Sequence, residues 1–403
     1  MDVFDKCIKW DFVKKLRLND AYPYFKPIQE KMGTRAIVDH RHMIMIGSND
    51  YLGLSGDSRI VQASFETLQR YGASSCGSRF LNGTTTLHIE LEEQLAQFMN
   101  REKAIVFSTG YQTNLGVISS ILGRNDVAII DRQVHASIID ALRLASCKIL
   151  RFKHNDMEDL EKKLKTVPKD TAKLIIVDGV FSMEGDIANL RDIITIKRQY
   201  GARLLVDDAH GIGILGKYGR GTGEYFNVES EIDLITGTFS KSFGSLGGFV
   251  AGDLDIVDYI QHQGRSMIFS ASMTPASVGA SLKALEIIRN EPERRHQLNE
   301  NTKYFISGLR ALGFNTGNSE TPIVPIHIGD TMRTFVFWKR LMHSGIYTNP
   351  IISPAVQEGN ELLRTSLMST HTKEELNTAL RLFEEIGLDL GIISGQKKKI
   401  VAK

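Results

Sequence analysis

The chain has 403 residues, of which 42% are hydrophobic and 24% charged, and its formal net charge is +2 at pH 7. These values are typical of a globular protein with one large and one smaller domain, and the small net charge gives no reason to expect a nucleic-acid partner. Since there is no membrane-length apolar run or signal-peptide core, and the three cysteines are too scattered for a disulfide framework or a metal site, we expect a cytoplasmic location and no bound metal.

The first 50 residues predict an N-terminal arm, with a helix at 12–18 and a short strand near 43–46. Two further helices are predicted at 58–71 and 88–98, because apolar residues recur there at helical spacing. The loop between these two helices consists mostly of small residues.

From residue 104 onwards, apolar strand candidates alternate with helical stretches. This alternation predicts a mainly parallel seven-stranded sheet with helices on both faces, which is an α/β fold. Ligands of such sheets bind beyond the carboxyl ends of the strands. The strand candidates are 104–108, 127–131, 148–152, 173–180, 203–208, 234–238 and 247–252, and the intervening helices include 156–165 and 188–200.

A long helix at about 274–289 ends the large domain, which is predicted at 51–289. Residues 290–394 mix helices with short strands such as 323–328, so they predict a smaller C-terminal α/β domain. Residues 395–403 are a basic tail. We expect this tail to be solvated, with weak attraction to an anionic membrane surface as the alternative.

One lysine, Lys241, stands among small and hydroxyl residues in the segment 233–250, which has the sequence DLITGTFSKSFGSLGGFV. A lysine with little bulk around it can lie against a flat cofactor, while nearby hydroxyls and amides bind an anionic group. Pyridoxal phosphate (PLP) requires both, because its aldehyde forms a Schiff base with an amine and its phosphate needs a cradle. A surface lysine in a Ser/Gly loop is the alternative for this stretch taken alone.

Acidic and histidine residues follow two other strand candidates. Asp207, Asp208 and His210 come after 203–208, where a carboxylate could keep a pyridine nitrogen protonated and the histidine could donate to a ring oxygen. The spacing leaves open which aspartate points inward, and capping of the next turn is the alternative role. His135 could stack on an aromatic ring, although a core or capping histidine is the commoner case.

Three further positions have chemistry that suits a charged ligand. Gly110 opens a helix after 104–108, and a helix N-terminus binds anions. Ser182 could reach the ring oxygen of a cofactor, whereas Glu184 and Asp186 are predicted to be loop structure. Arg364, within an apolar segment, could bind a carboxylate with two hydrogen bonds or belong to an internal ion pair.

Five motifs together resemble the α-oxoamine synthases, which are fold-type I, aspartate aminotransferase-like PLP enzymes that condense an amino acid with an acyl thioester. The resemblance covers about residues 20–390 and implies the same fold, with a large PLP-binding domain and a small C-terminal domain. The motifs are HAS at 135–137, VFSMEGD at 180–186, DDAHG at 207–211, GTFSK at 237–241, and PAV with LLRTS between 354 and 366.

Within this family, four stretches are most similar to the bacterial homodimeric serine palmitoyltransferases. That similarity implies condensation of L-serine with palmitoyl-CoA to 3-oxosphinganine, CoA and CO2, the first step of sphingolipid synthesis. A 2-amino-3-ketobutyrate CoA ligase or an 8-amino-7-oxononanoate synthase is the alternative, and an inert regulatory subunit is disfavoured because Lys241 is present. The stretches are YPYFKPIQ (22–29), GSRFLNGT (77–84), GTFSKSFGSLGGF (237–249) and FSASMTPASV (269–278).

The resemblance also implies a role for each matching residue. Lys241 is expected to be the Schiff-base lysine, His135 to stack on the pyridine ring and contact substrate, Asp207 to pair with the ring nitrogen, and His210 to bind the phenolic oxygen. Further PLP contacts are expected from Gly110, Tyr111, Ser182, Thr238 and Ser240, with Ser270 and Ala271 reaching the phosphate of the partner subunit in an obligate homodimer. Asn49, Ser78 and Arg364 are expected to face the amino acid.

Two positions depart from the family pattern. Some bacterial serine palmitoyltransferases have a second arginine twelve residues before the one matching Arg364, whereas this chain has Ile352. The usual PxVP turn is replaced by the sequence PAVQ at 354–357.

At Ser78 a glycine-specific relative has threonine, and one methyl group less favours serine over strict glycine specificity by about 1–3 kcal/mol.

Overall fold

The computed structural model describes residues 2–18 and 21–394, so the predicted tail at 395–403 lies outside the described residues. The strands are β1 Ile28–Met32, β2 Arg35–Val38, β3 Arg41–Met45, β4 Lys103–Phe107, β5 Val127–Asp131, β6 Lys148–Phe152, β7 Lys173–Asp178, β8 Arg203–Asp207, β9 Leu234–Thr238, β10 Gly248–Gly252, β11 Ile323–His327, β12 Ile346–Tyr347, β13 Asn349–Ile351 and β14 Leu362–Ser366. The helices are α1 Asp5–Lys9, α2 Phe12–Leu18, α3 Ser58–Tyr71, α4 Thr86–Phe98, α5 Gly110–Ile121, α6 Ala136–Ala145, α7 Met157–Lys165, α8 Leu190–Tyr200, α9 Thr222–Phe226, α10 Leu254–Gln263, α11 Arg265–Ile268, α12 Pro275–Asn290, α13 Pro292–Leu312, α14 Thr331–His343 and α15 Lys373–Asp389, with a 3₁₀ turn at Glu229–Glu231.

The largest sheet has seven strands in the order β4-β10-β9-β8-β7-β5-β6. Only β10 runs antiparallel to its neighbours, β4 and β9, so the prediction of a mainly parallel seven-stranded sheet is confirmed. Its register places Asp178 beside Asp207, and Asp207 beside Thr236. Three polar side chains therefore lie together at the carboxyl ends of β7, β8 and β9.

Both faces of this sheet are covered by apolar packing. Along β5, Val127 and Ile129 belong to one apolar cluster and Ala128 and Ile130 to a second, because successive strand residues point to opposite faces. All five residues of β5 are buried. Such strands are apolar throughout, as expected for a parallel sheet between two layers of helices.

A three-stranded sheet of the C-terminal region has the order β11-β14-β13. Its central strand, β14, is buried along its whole length and contains Arg364. The strand predicted at 323–328 is confirmed as β11.

The N-terminal region differs from the predicted arm, because β1, β2, β3 and β12 form a four-stranded sheet. Sequence patterning indicated only β3, since every residue of β1 is exposed and shows no alternation of apolar and polar residues. β12 lies about 300 residues after β3 and pairs with it in parallel. The domain boundaries at 50/51 and 289/290 stay a prediction.

Candidate active site

A pocket of about 240 Å³ lies at the carboxyl edge of the seven-stranded sheet. Most of the residues predicted to contact PLP line it, although they come from four separate segments of the chain. The lining residues are Thr109, Gly110, Tyr111, Asn114, His135, Ser137, Asp178, Asp207, Ala209, His210, Thr236, Gly237, Thr238, Ser240 and Lys241.

Lys241 lies in a tight loop between β9 and β10. The amide of Phe239 donates to the carbonyl of Gly247 at 2.9 Å, and the amide of Gly244 donates to the carbonyl of Lys241 at 2.9 Å. Burial lowers the pKa of Lys241 to about 8; Asp207 opposes this shift, whereas the charge of Arg364 adds to it. An appreciable share of this amine is therefore neutral, and nucleophilic, near neutral pH.

Asp207 and Asp208 have different surroundings, and these show which of the two carboxylates faces the pocket. Asp207 lines the pocket, and its Oδ2 accepts a hydrogen bond from Asn114 Nδ2 at 2.6 Å. Asp208 instead accepts from the backbone amide and the hydroxyl of Thr222, both at 2.6 Å, and burial raises its pKa to about 6. Asp207 is therefore the carboxylate available to a ligand in the pocket.

A second pocket carboxylate, Asp178, was not predicted, because it was counted within the strand candidate 173–180. Its Oδ1 accepts from the backbone amide of His135 at 3.2 Å. Burial raises the pKa of Asp178 well above its usual range, and the neighbouring Asp207 adds to the effect. The aspartate directly after the apolar run Leu174–Val177 was the signal that could have indicated it.

His135 caps the N-terminus of α6 and faces the pocket. Its Nδ1 lies 2.7 Å from the Ser137 hydroxyl, and its ring is edge-on to Tyr111 with centroids 6.2 Å apart. Burial lowers the pKa of His135, with Lys241 adding to and Asp207 opposing the shift. A neutral imidazole fixed at one nitrogen can stack on an aromatic ring.

The N-terminus of α5 forms one end of the pocket. Gly110 is its first residue, and a Cβ atom there would come within 2.9 Å of Thr238. Glycine thus allows the helix amides to lie against β9, where the hydroxyls of Thr238 and Ser240 are 2.9 Å apart. Amides at a helix N-terminus together with hydroxyls suit a phosphate group. With Lys241 and Asp207, these residues fit PLP.

Arg364 and Asn49 form a polar cluster beside this pocket. Arg364 Nη1 donates to Asn49 Oδ1 at 3.0 Å, and Nε donates to the carbonyl of Ser182 at 2.6 Å. Within residues 2–18 and 21–394, no carboxylate lies within 4.0 Å of its guanidinium, and Arg364 as a residue is 6% exposed. A buried arginine without a carboxylate partner is suited to binding an anionic ligand.

Tyr51 connects this cluster to the pocket and was not singled out from the sequence. Its hydroxyl lies 2.7 Å from His210 Nδ1 and 3.3 Å from Asn49 Oδ1. Burial raises the pKa of Tyr51 to about 12. Burial also lowers the pKa of His210 well below its usual range, and Lys241 and Arg364 add to that shift. The position of Tyr51, two residues after Asn49, was the sequence signal that could have indicated it.

Several predicted residues do not line the pocket of their own chain. Ser78 pairs with Ala271 in an isolated β-bridge, and Ser270 accepts a hydrogen bond from Gln112 at 2.9 Å. Ser182 contacts Arg364 through its carbonyl. Ile352, at the position of the missing second arginine, is 8% exposed and belongs to an apolar cluster.

Comparisons with known proteins agree with this geometry. The family model "Aminotransferase class I and II" matches residues 41–383. A serine palmitoyltransferase of Sphingobacterium spiritivorum is 48% identical over 94% of this chain and 96% of its own length. An 8-amino-7-oxononanoate synthase of Symbiobacterium thermophilum is 44% identical over 94% of this chain and 97% of its own.

A solved serine palmitoyltransferase structure with PLP has a TM-score of 0.94 and 36% identity, covering 98% of this chain and all of the other. The fold-type I architecture inferred from the sequence is thereby confirmed. The chain belongs to the aminotransferase class I and II family, and within it to the α-oxoamine synthases, which are PLP-dependent acyltransferases.

Proposed function

We propose that this enzyme condenses L-serine with palmitoyl-CoA, releasing CO2 and CoA and giving 3-oxosphinganine. One observation carries the amino-acid half: the guanidinium of Arg364, buried and without a carboxylate partner, lies beside the Lys241 pocket. The acyl half is supported by the serine palmitoyltransferases that are 43–48% identical to this chain.

PLP, when bound, supplies an aldehyde for the amino group of the substrate and a ring that accepts electrons. Lys241 is placed to move the α-proton, because its pKa of about 8 leaves a neutral amine available near neutral pH. With PLP bound, Asp207, oriented by Asn114, would hold a proton on the ring nitrogen, and His210, oriented by Tyr51, would donate to the ring oxygen. Arg364 and Asn49 bind the substrate carboxylate.

Ser78 supports serine as the amino acid. Its hydroxyl oxygen is buried and has no hydrogen-bond partner in the described chain. A buried hydroxyl without a partner costs about 1–3 kcal/mol, so a polar group of the substrate or of a second subunit is favoured there. A threonine at this position would add a methyl group to the same space.

A sister activity, that of an 8-amino-7-oxononanoate synthase, is the second candidate, because a relative with that name is 44% identical over 94% of the chain. The two candidates differ in both substrates, so one substrate screen separates them. We expect CoA release to require both serine and a long-chain acyl-CoA. Preference for alanine with pimeloyl-CoA would establish the alternative, and preference for glycine with acetyl-CoA would contradict both.

We further propose a homodimer in which Ser270 and Ala271 complete the phosphate site of the partner subunit. The support is that these residues and Ser78 lie together, yet outside the pocket of their own chain.

A cytoplasmic location is proposed as well, and all three cysteines are free. No helix in the described parts of the chain is long and apolar enough to cross a membrane, and weak contact of the basic tail with an anionic membrane surface is proposed from its lysines alone.

A further inference from the structure

The imidazole of His154 lies between two carboxylates, outside the pocket that contains Lys241. Its Nδ1 donates to Asp131, with distances of 3.1 and 3.2 Å to the two oxygens, and its Nε2 donates to Asp186 Oδ2 at 2.8 Å. Because each ring nitrogen faces a carboxylate, and an ionised carboxylate only accepts hydrogen bonds, this geometry favours the protonated ring. Burial disfavours this charge, but the two carboxylates outweigh it and raise the pKa of His154 to about 10.

The first carboxylate belongs to the turn that leads to His135. Asp131 ends β5, and its side chain also accepts from the backbone amides of Gln133 at 2.8 Å and Asn155 at 2.9 Å. His135 follows two residues after Gln133 and caps α6. The bond from His154 to Asp131 therefore fixes the start of the segment that positions His135.

The second carboxylate, Asp186, belongs to the loop that contains Ser182, whose carbonyl accepts a hydrogen bond from Arg364. The amide of Phe181 donates to the carbonyl of Asp186 at 3.0 Å, which closes the loop from 181 to 186. The carbonyl of Ser182 in this loop accepts from Arg364 Nε at 2.6 Å. The edge of the Phe181 ring meets His154 with centroids 4.4 Å apart, so the loop packs on the imidazole as well.

We propose that His154 is a positioning residue that joins the His135 turn to the Ser182 loop, and so sets the distance between the cofactor-stacking group and the carboxylate-binding group. His154 does not line the Lys241 pocket. The inference rests on the proposed function only in requiring an amino acid as substrate. The joined segments come from the ends of β5, β6 and β7. Asn155, the next residue, also links the two carboxylates, because its amide donates to Asp131 Oδ2 and its Nδ2 donates to Asp186 Oδ2, both at 2.9 Å. His154 differs from Asn155 in that its side chain contacts both carboxylates and can carry a positive charge.

The test is His154→Gln, which removes the charge and one of the two donors. We expect the KM for serine to rise at least about tenfold, because a misplacement of about 1 Å costs on the order of 100-fold in rate. The KM for palmitoyl-CoA and the binding of ethanolamine, which lacks the carboxylate, should change by less than about twofold. Asp186→Asn, which keeps the loop residue nearly isosteric, should shift serine binding in the same direction.

His327→Gln is the matched control. His327 contacts Glu184 at 3.2 Å, in the same loop, and the two histidine side chains are similarly exposed, at 21% and 19%. This variant should leave the KM for serine unchanged, since His327 does not reach the His135 turn. A lower melting temperature with unchanged serine KM in both His154→Gln and Asp186→Asn would overturn the proposal and leave a purely structural role. If the wild-type enzyme uses alanine instead, the same comparison is made with alanine, so the two proposals fail separately.

Discussion

Replacing Arg364 by alanine tests the amino-acid site most directly. Arg364 is buried, and its guanidinium makes hydrogen bonds to Asn49, Ser182 and Ser366 and has no carboxylate partner in the described chain. A hydrogen bond to a charged group contributes about 1.5–3 kcal/mol. Since about 1.4 kcal/mol is a factor of ten, losing one such bond weakens serine binding by about 10- to 150-fold.

The assay is a spectral titration of the PLP enzyme with serine, in parallel with ethanolamine, which has no carboxylate. We expect Arg364→Ala to weaken serine binding but not ethanolamine binding. PLP affinity should stay unchanged, because Arg364 does not line the pocket that contains Gly110 and Thr238. Arg364→Lys keeps the charge without the forked geometry and should give an intermediate loss.

Arg310→Ala is the control for removing a guanidinium. Arg310 donates to the Thr316 hydroxyl at 2.8 Å and to backbone carbonyls, as Arg364 does, but its partners are not Asn49 or Ser182, and it lines a separate cavity. Unchanged serine affinity in Arg364→Ala would refute the reasoning and direct attention to His135 or Asn49 as the group that binds the carboxylate.

Three further outcomes are expected. Lys241→Ala should retain the fold but lose the covalent, borohydride-reducible link to PLP; labelling of a different lysine after reduction of the wild type would contradict the assignment. The rate at which the PLP-depleted enzyme binds PLP covalently should rise with pH around a midpoint near 8. The reason is the lowered pKa of Lys241, because the amine is mostly neutral, and therefore nucleophilic, above about that pH. A midpoint near the ordinary lysine value of 10.5 would show that burial does not act on this amine. Sedimentation at assay concentration should give a dimer, whose interface we expect to bury more than about 2,000 Å². A fully active monomer would exclude sharing of Ser270.

The large sheet was predictable because its strands are apolar on both faces. Each of the seven candidates corresponds to one observed strand, with ends that differ by at most two residues. The N-terminal sheet could not be predicted from the sequence, because β1 is exposed at every residue and β12 has only two residues. Its pairing depends on contacts between distant segments, which local patterning does not contain.

The pocket was predictable to the extent that its residues follow apolar strands. Lys241, His135 and His210 were located in this way. Spacing alone did not decide between Asp207 and Asp208, and only the family resemblance selected Asp207. In the structure the distinction depends on Thr222, fourteen residues after Asp208, which donates two hydrogen bonds to it. Residues that act through another residue give little sequence signal of their own: Asn114 behind Asp207 was not singled out, and Tyr51 behind His210 had only its position near Asn49.

The parallel pair of β3 and β12 also has a consequence for synthesis of the chain. At about 5–20 residues per second, a ribosome needs roughly 15–60 s to proceed from β3 to β12. During this time β3 has an unpaired edge, which is a site of unwanted pairing between nascent chains. Asn49 follows β3 closely, and its partner Arg364 is 315 residues away, so the carboxylate site also forms only at the end. A nascent chain stalled before β12 would therefore contain Asn49 and Lys241 but lack Arg364, the group proposed to bind the substrate carboxylate.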